Sequence, residues 1–184
     1  MSKKLILIIG APGAGKSTQA EMLAQKYPEK ITSYSTGELL KQESQSGSVV
    51  GKIISDYFYK GHLVPSTIII DTVLDAIKAA PTDVVVIEGF PRKEKQVKLF
   101  GDVLFTHKDI ELLNVIEISV NDTLAKERFA SSEEIYTNEM DAFKETIAEV
   151  EKYYAEHDLL KVVDGEAPLD TVFSQIEAII QEKI

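Results

Sequence analysis

The sequence predicts an α/β fold: a five-stranded parallel sheet between two layers of helices. Three observations predict it. Short β-branched runs at 5–9, 31–34, 84–87, 115–120 and 159–163 alternate with helical patterns along the 184 residues. These runs are nearly continuously apolar, as strands covered on both faces must be. The first run leads straight into a glycine loop and then a helical stretch, so strand, loop and helix follow one another in the order of a doubly wound sheet.

Taken in order, the strands start with Leu5-Ile6-Leu7-Ile8-Ile9, and a helix is expected at 16–27. After the run at 31–34, helical patterns cover 37–60 in two pieces and 66–80. The run at 84–87 precedes a helix at 93–106, and that at 115–120 precedes helices at 122–130 and 136–157. The last run, 159–163, leads into a helix at 168–182. Right-handed crossovers limit such a chain to a few topologies. The helix at 136–157 shows the logic: Met140, Phe143, Ile147, Val150 and Tyr154 recur at steps of three and four and make one apolar stripe. Glu139, Glu145, Glu149, Glu151 and Glu156 mostly take the other face, which reads as solvated.

The length fits one domain, 1–184, with a substantial core. There is no cysteine, which excludes disulfides and a thiolate zinc site and fits a reducing compartment. Met1-Ser2-Lys3-Lys4 and the apolar run after it are too short for a secretory leader, and they run into glycines rather than a cleavage site. No apolar stretch approaches membrane-spanning length, so a cytoplasmic protein without membrane contact is expected. The net charge of −10 disfavours nucleic acid as a partner. Any anionic ligand must therefore be met by positive charge gathered locally.

Gly10-Ala11-Pro12-Gly13-Ala14-Gly15-Lys16-Ser17 matches G-x-x-x-x-G-K-[ST]. Glycines let the backbone curl so that successive N–H groups face one anion, and the helix that follows adds its positive dipole end. Lys16 then reaches the β- and γ-phosphates, and Ser17 ligates Mg²⁺. The loop predicts a P-loop nucleoside-triphosphate site without naming an acceptor.

Three further segments lie in a telling order: Ser35-Thr36-Gly37-Glu38-Leu39-Leu40, Gly61-His62-Leu63-Val64-Pro65, and Glu88-Gly89-Phe90-Pro91-Arg92 with Gln96 after it. With residues 10–18 and Val163-Asp164-Gly165, they resemble the adenylate kinases over nearly the whole chain. The resemblance implies a P-loop kinase domain with a small helical insertion at about 35–64 that folds over the monophosphate, and a shortened lid at about 129–138. It implies transfer of the terminal phosphoryl group of ATP to AMP, giving two ADP, with Mg²⁺ and no zinc, in a monomer. On the ATP side it places Gly10, Pro12, Gly13, Ala14, Gly15, Lys16, Ser17, Thr18, Arg128 and Ala167. On the AMP side it places Thr36, Lys41, His62, Leu63, Val64, Gly89, Phe90, Arg92 and Gln96. Lys16, Arg92 and Arg128 would be the catalytic cations, and Arg92 is suited to phosphate because a guanidinium pairs with it bidentately. Glu88 would hold the Mg²⁺ of Ser17 through water; the family's usual residue there is Asp. Thr36 resembles the AMP-specific branch, since related UMP/CMP kinases usually carry Ala.

The chain departs from that pattern where charge matters. Residues 129–138 contain no Arg or Lys, Ser132 and Glu139 stand where the family has arginines, and Glu133 and Glu134 add negative charge. Lys41 replaces an arginine and loses its fork. Phosphoryl transfer depends on positioning and charge stabilisation, so these losses leave alternatives open. One is a nucleotide-binding sensor or interaction module with weak or no catalysis. Another is a kinase for a different monophosphate, such as CMP or UMP.

Overall fold

The computed structural model describes residues 2–60 and 62–184, so Met1 and Gly61 of the second motif lie outside the described residues. The elements run β1 (Lys3–Gly10), α1 (Lys16–Lys26), β2 (Ile31–Ser35), α2 (Thr36–Gln45), α3 (Val49–Tyr59), α4 (Ser66–Ala79) and β3 (Val84–Glu88). They continue α5 (Glu94–Thr106), β4 (Ile110–Ser119), α6 (Asp122–Arg128), α7 (Glu133–Glu156), β5 (Leu160–Asp164) and α8 (Leu169–Ile180). The strands form one five-stranded parallel sheet in the order β2-β3-β1-β4-β5. The expected fold class is the observed one.

The alternation within β1 explains the layers. Leu5, Leu7 and Ile9 face a core built with Ile70, Val73 and Ile77 of α4, Val97 and Phe100 of α5, and Val150 and Tyr154 of α7. Ile6 and Ile8 face the opposite core, built with Leu23 of α1 and Val172, Phe173 and Ile176 of α8. Both faces are dry, so the runs need no polar alternation. The stripe of α7 spans two clusters: Met140 packs with Ala11, Ala125 and Tyr136, while Val150 and Tyr154 join the main core.

Two boundaries differ from expectation by three residues or more. β4 begins at Ile110 rather than 115, and Glu111 and Asn114 break its apolar pattern. The pairing with β1 slips between Leu5 and Ile6, where the partners pass from Leu112 to Asn114. Buried Asn114 is held by Leu159 O, which accepts from its amide at 3.4 Å. α7 begins at Glu133 rather than 136, because the Ser132 hydroxyl accepts from Ile135 N and caps it. Residues 133–138 of the expected lid segment are therefore the first turns of a helix.

Between β2 and β3 the chain makes the helical pair α2–α3. It has a small core of its own, Leu40, Ile54 and Val64, backed by Tyr57, Ile68 and Ile69. Among the described residues no helix is long and apolar enough to cross a membrane. β1 sits centrally, with β3 and β4 on either side, so a crevice opens above its C-terminal end.

Candidate functional site

The glycine loop fills that crevice. Gly13 and Gly15 have φ of 82° and 92°, which side chains rarely adopt. A Cβ on Gly13 would lie 2.0 Å from Ala125 O, so α6 can approach the loop only over a glycine. Ala14 N donates to Ala11 O at 3.0 Å and closes the turn, and Gly15 leads into α1. The ammonium of Lys16 folds back over the loop, donating to Gly10 O at 3.0 Å and Ala11 O at 2.9 Å.

A cavity of about 550 Å³ lies over the loop. Pro12, Gly13, Ala14, Gly15, Lys16, Ser17 and Thr18 line it from below, with Glu88, Arg92, Arg128 and Ala167 around them. Each group is held by its neighbours. Arg128 donates to Gly165 O at 2.7 Å, which ties the end of α6 to the loop after β5. Arg92 Nε donates to Gly89 O at 3.0 Å, and Gln96 Oε1 accepts from Arg92 N at 2.8 Å. Thr146 of α7 donates to Arg92 O at 2.7 Å. Ser17 Oγ donates to Glu88 Oε1 at 2.8 Å, joining the start of α1 to the end of β3.

Burial lowers the pKa of Lys16 from its ordinary 10.5 to about 8. Glu88 pulls it back up, Arg92 pushes it down, and Glu139 pulls it up. Three cations thus face two carboxylates, Glu88 and Glu139, in one cavity. That is a local positive site inside an acidic protein, suited to a polyphosphate chain.

The structure does not gather the other half of the expected residues in the same way. Lys41, His62 and Leu63 stand exposed on the helical insertion, and Leu63 is 85% exposed. Val64 is buried in the insertion's own core, which leaves its backbone but not its side chain for a ligand. Buried Thr36 donates its hydroxyl to Glu88 O at 2.9 Å, so it anchors α2 to β3. The Phe90 side chain is likewise fully buried, edge-on to Phe100 at 5.0 Å between ring centres, which leaves its backbone for a ligand.

The segment expected as a lid, and the helices beside it, contribute differently from their charge pattern. Lys126 pairs with Glu133 and Lys144 with Asp122, both on the exposed surface. Glu139, read as part of a solvated face, lines the cavity, as do Phe129 and Ala130. Gln19 also lines it and was not singled out by the sequence, although it lies one helical step beyond Lys16 on α1.

A second cleft of about 550 Å³ shares Ser17 and Glu88 with the first and runs between α1 and α2, past Glu21, Ser33, Ser35, Glu38 and Gln42. Its lining has carboxylates and hydroxyls but no cation, so it does not suit phosphate.

Comparison with known proteins agrees with this geometry. A family model described as adenylate kinase matches residues 8–159. The chain is 40% identical to the adenylate kinase of Sulfurovum sp. (strain NBC37-1), an alignment covering 99% of this chain and all of the relative. It is 40% identical to that of Nautilia profundicola, over 98% of each. With the adenylate kinase of Wolinella succinogenes the identity is 39%, over 99% of this chain and all of the relative.

Proposed function

The chain belongs to the adenylate kinase family, and we propose that Lys16, Arg92 and Arg128 carry the charge chemistry of its reaction. That reaction is reversible transfer of the terminal phosphoryl group of ATP to AMP, giving two ADP. An oxygen of the AMP phosphate attacks the γ-phosphorus, and the bond from that phosphorus to the β–γ bridging oxygen breaks. The attacking oxygen is already anionic, so no general base and no covalent nucleophile is needed. The protein's task is to position both phosphates and spread the developing charge.

The observation that carries the assignment is the convergence of Lys16, Arg92 and Arg128 on one cavity over the glycine loop. The loop's N–H groups and the N-terminus of α1 hold the β-phosphate region, and Lys16 exchanges its loop carbonyls for phosphate oxygens. Arg92 faces the acceptor phosphate, and Arg128 the donor. Residues 35–64 cover the acceptor and exclude water, and 129–138 serve as a reduced lid. On the acceptor side we assign Thr36, Lys41, the backbone of 62–64, Gly89 and Gln96.

Ser17 and Glu88 fit a magnesium ion brought in with ATP: both are hard oxygen donors and their oxygens already lie 2.8 Å apart. Bound there, Mg²⁺ supplies neutralisation of the β- and γ-phosphate charge. All these groups come from one chain, which supports a monomer as the working unit. The absence of cysteine suits the reducing cytoplasm.

The test is phosphoryl transfer from Mg·ATP to AMP, CMP, UMP and GMP, with the nucleotides separated directly. ADP formation that depends on AMP is the expected result. Equal rates with every monophosphate would overturn the acceptor assignment, and binding without transfer would overturn the catalytic one.

A further inference from the structure

Glu139 of α7 lines the cavity that gathers Lys16, Arg92 and Arg128. Its neighbours in the chain hold it there. Tyr136, one turn earlier, and Met140, the next residue, are both buried in a cluster with Ala11 of the glycine loop and Ala125 of α6. The Tyr136 hydroxyl also donates to Asp122 O at 3.0 Å. α7 is thus pinned on either side of Glu139, and the turn that carries it stays beside the loop. The two carboxylates of the cavity are held differently. Glu88 is buried and accepts from Ser17 Oγ. Glu139 is exposed, and among the described residues no lysine or arginine pairs with it. Its charge still reaches the phosphate end of the cavity, where it raises the pKa of Lys16 against the effect of burial.

Three cations alone favour whichever phosphate chain carries the most negative charge. That chain is metal-free ATP, because bound Mg²⁺ cancels about two charges. A fixed carboxylate at the same cavity works the other way, since it repels the more highly charged form more strongly. We propose that Glu139 is a specificity-determining residue for the donor: its carboxylate repels metal-free nucleoside triphosphate and so selects the magnesium complex. This inference rests on reading the cavity as the site of the donor nucleotide. The part of Glu139 differs from that of Glu88. Glu88 lies beside Ser17, where the ion is held, whereas Glu139 acts through space on the form that lacks the ion.

The experiment is calorimetric binding of ATP in excess Mg²⁺ and in EDTA, with metal-free ADP as a ligand of smaller charge. It is run at about pH 7, below the Lys16 pKa of about 8. Glu139→Gln keeps the size of the side chain and removes its charge. At low salt it is expected to bind metal-free ATP roughly three- to tenfold more tightly than the native protein, metal-free ADP by less, and Mg·ATP by least. Glu139→Asp keeps the charge and is expected to keep the native preference. The gain should shrink as salt approaches about 0.5 M, because an exposed charge is screened. An unchanged ratio of Mg·ATP to metal-free ATP affinity in Glu139→Gln overturns the proposal. So does a Glu139→Gln protein that loses affinity for Mg·ATP and binds metal-free ATP as before, which would put Glu139 at the ion. Transfer to AMP is assayed separately: binding without transfer counts against the kinase reading, and the ratio of affinities still decides this one.

Discussion

The hydroxyl of Ser17 donates to Glu88 Oε1 at 2.8 Å, and this pair lines both of the clefts described above. It brings together two residues separated by 71 positions at the C-terminal edge of adjacent strands β1 and β3. Glu88 is 6% exposed, so its carboxylate has few partners other than Ser17 and an incoming cation. Glu88→Gln keeps the shape and removes the charge. The rate at saturating ATP should fall roughly 10- to 100-fold, and the Mg²⁺ concentration for half-maximal rate should rise. Titrating the rate against Mg²⁺ reads both, and an unchanged Mg²⁺ requirement would take Glu88 out of the metal's surroundings.

Lys16 predicts the pH profile. Burial is the largest influence on its pKa and lowers it to about 8, so the ammonium is lost within reach of ordinary assays. The charged form holds the phosphates, so kcat/KM for ATP, which reports the free enzyme, should decline as pH rises past about 8. Glu139 raises this pKa, so Glu139→Gln should move the decline to lower pH. Lys16→Met should cut the rate at least about a thousandfold while leaving the circular dichroism spectrum intact. A native profile flat to about pH 9 contradicts the assignment.

A buried carboxyl group, Glu117, makes stability depend on pH. Glu117 of β4 is 7% exposed, and its pKa is raised from 4.5 to about 8 by burial first and then by its hydrogen bond to Glu151 of α7 and that group's charge. The native state therefore holds a proton that the unfolded chain releases, and stability falls as pH rises from about 4.5 to about 8. Glu117→Gln keeps the hydrogen bond without the titration. Its Tm at about pH 9 should exceed the native protein's by about 3 °C or more, with little difference near pH 5. Parallel Tm curves across that range would contradict the shared proton.

Phe90 separates stability from binding. Its ring is fully buried against Phe100, so Phe90→Ala should cost about 3–5 kcal/mol in urea unfolding. The affinity of the folded fraction for nucleotides, extrapolated to low temperature, should change little. A variant of native stability with lost AMP binding would return Phe90 to the site.

The sequence by itself determined the centre of the sheet, because the runs 5–9 of β1 and 84–87 of β3 are buried on both faces and must be apolar throughout. It also determined the phosphate loop, since glycine spacing and Lys16 are local necessities of one turn, and the lack of Arg and Lys over 129–138, which is a matter of composition. Only the tertiary structure decided which polar residues face inward. Glu139 and Glu151 share the polar side of one helix in sequence, yet one lines the cavity and the other meets buried Glu117. Helical period gives the direction of a side chain about its own axis, but not what stands opposite it. For the same reason the ring of Phe90, part of a ligand motif in sequence, lies in the core, and Gln19, inconspicuous in sequence, lines the cavity. Those outcomes depend on how α1, α7 and α8 pack over the sheet, and contacts between such distant segments leave no periodic trace in the chain.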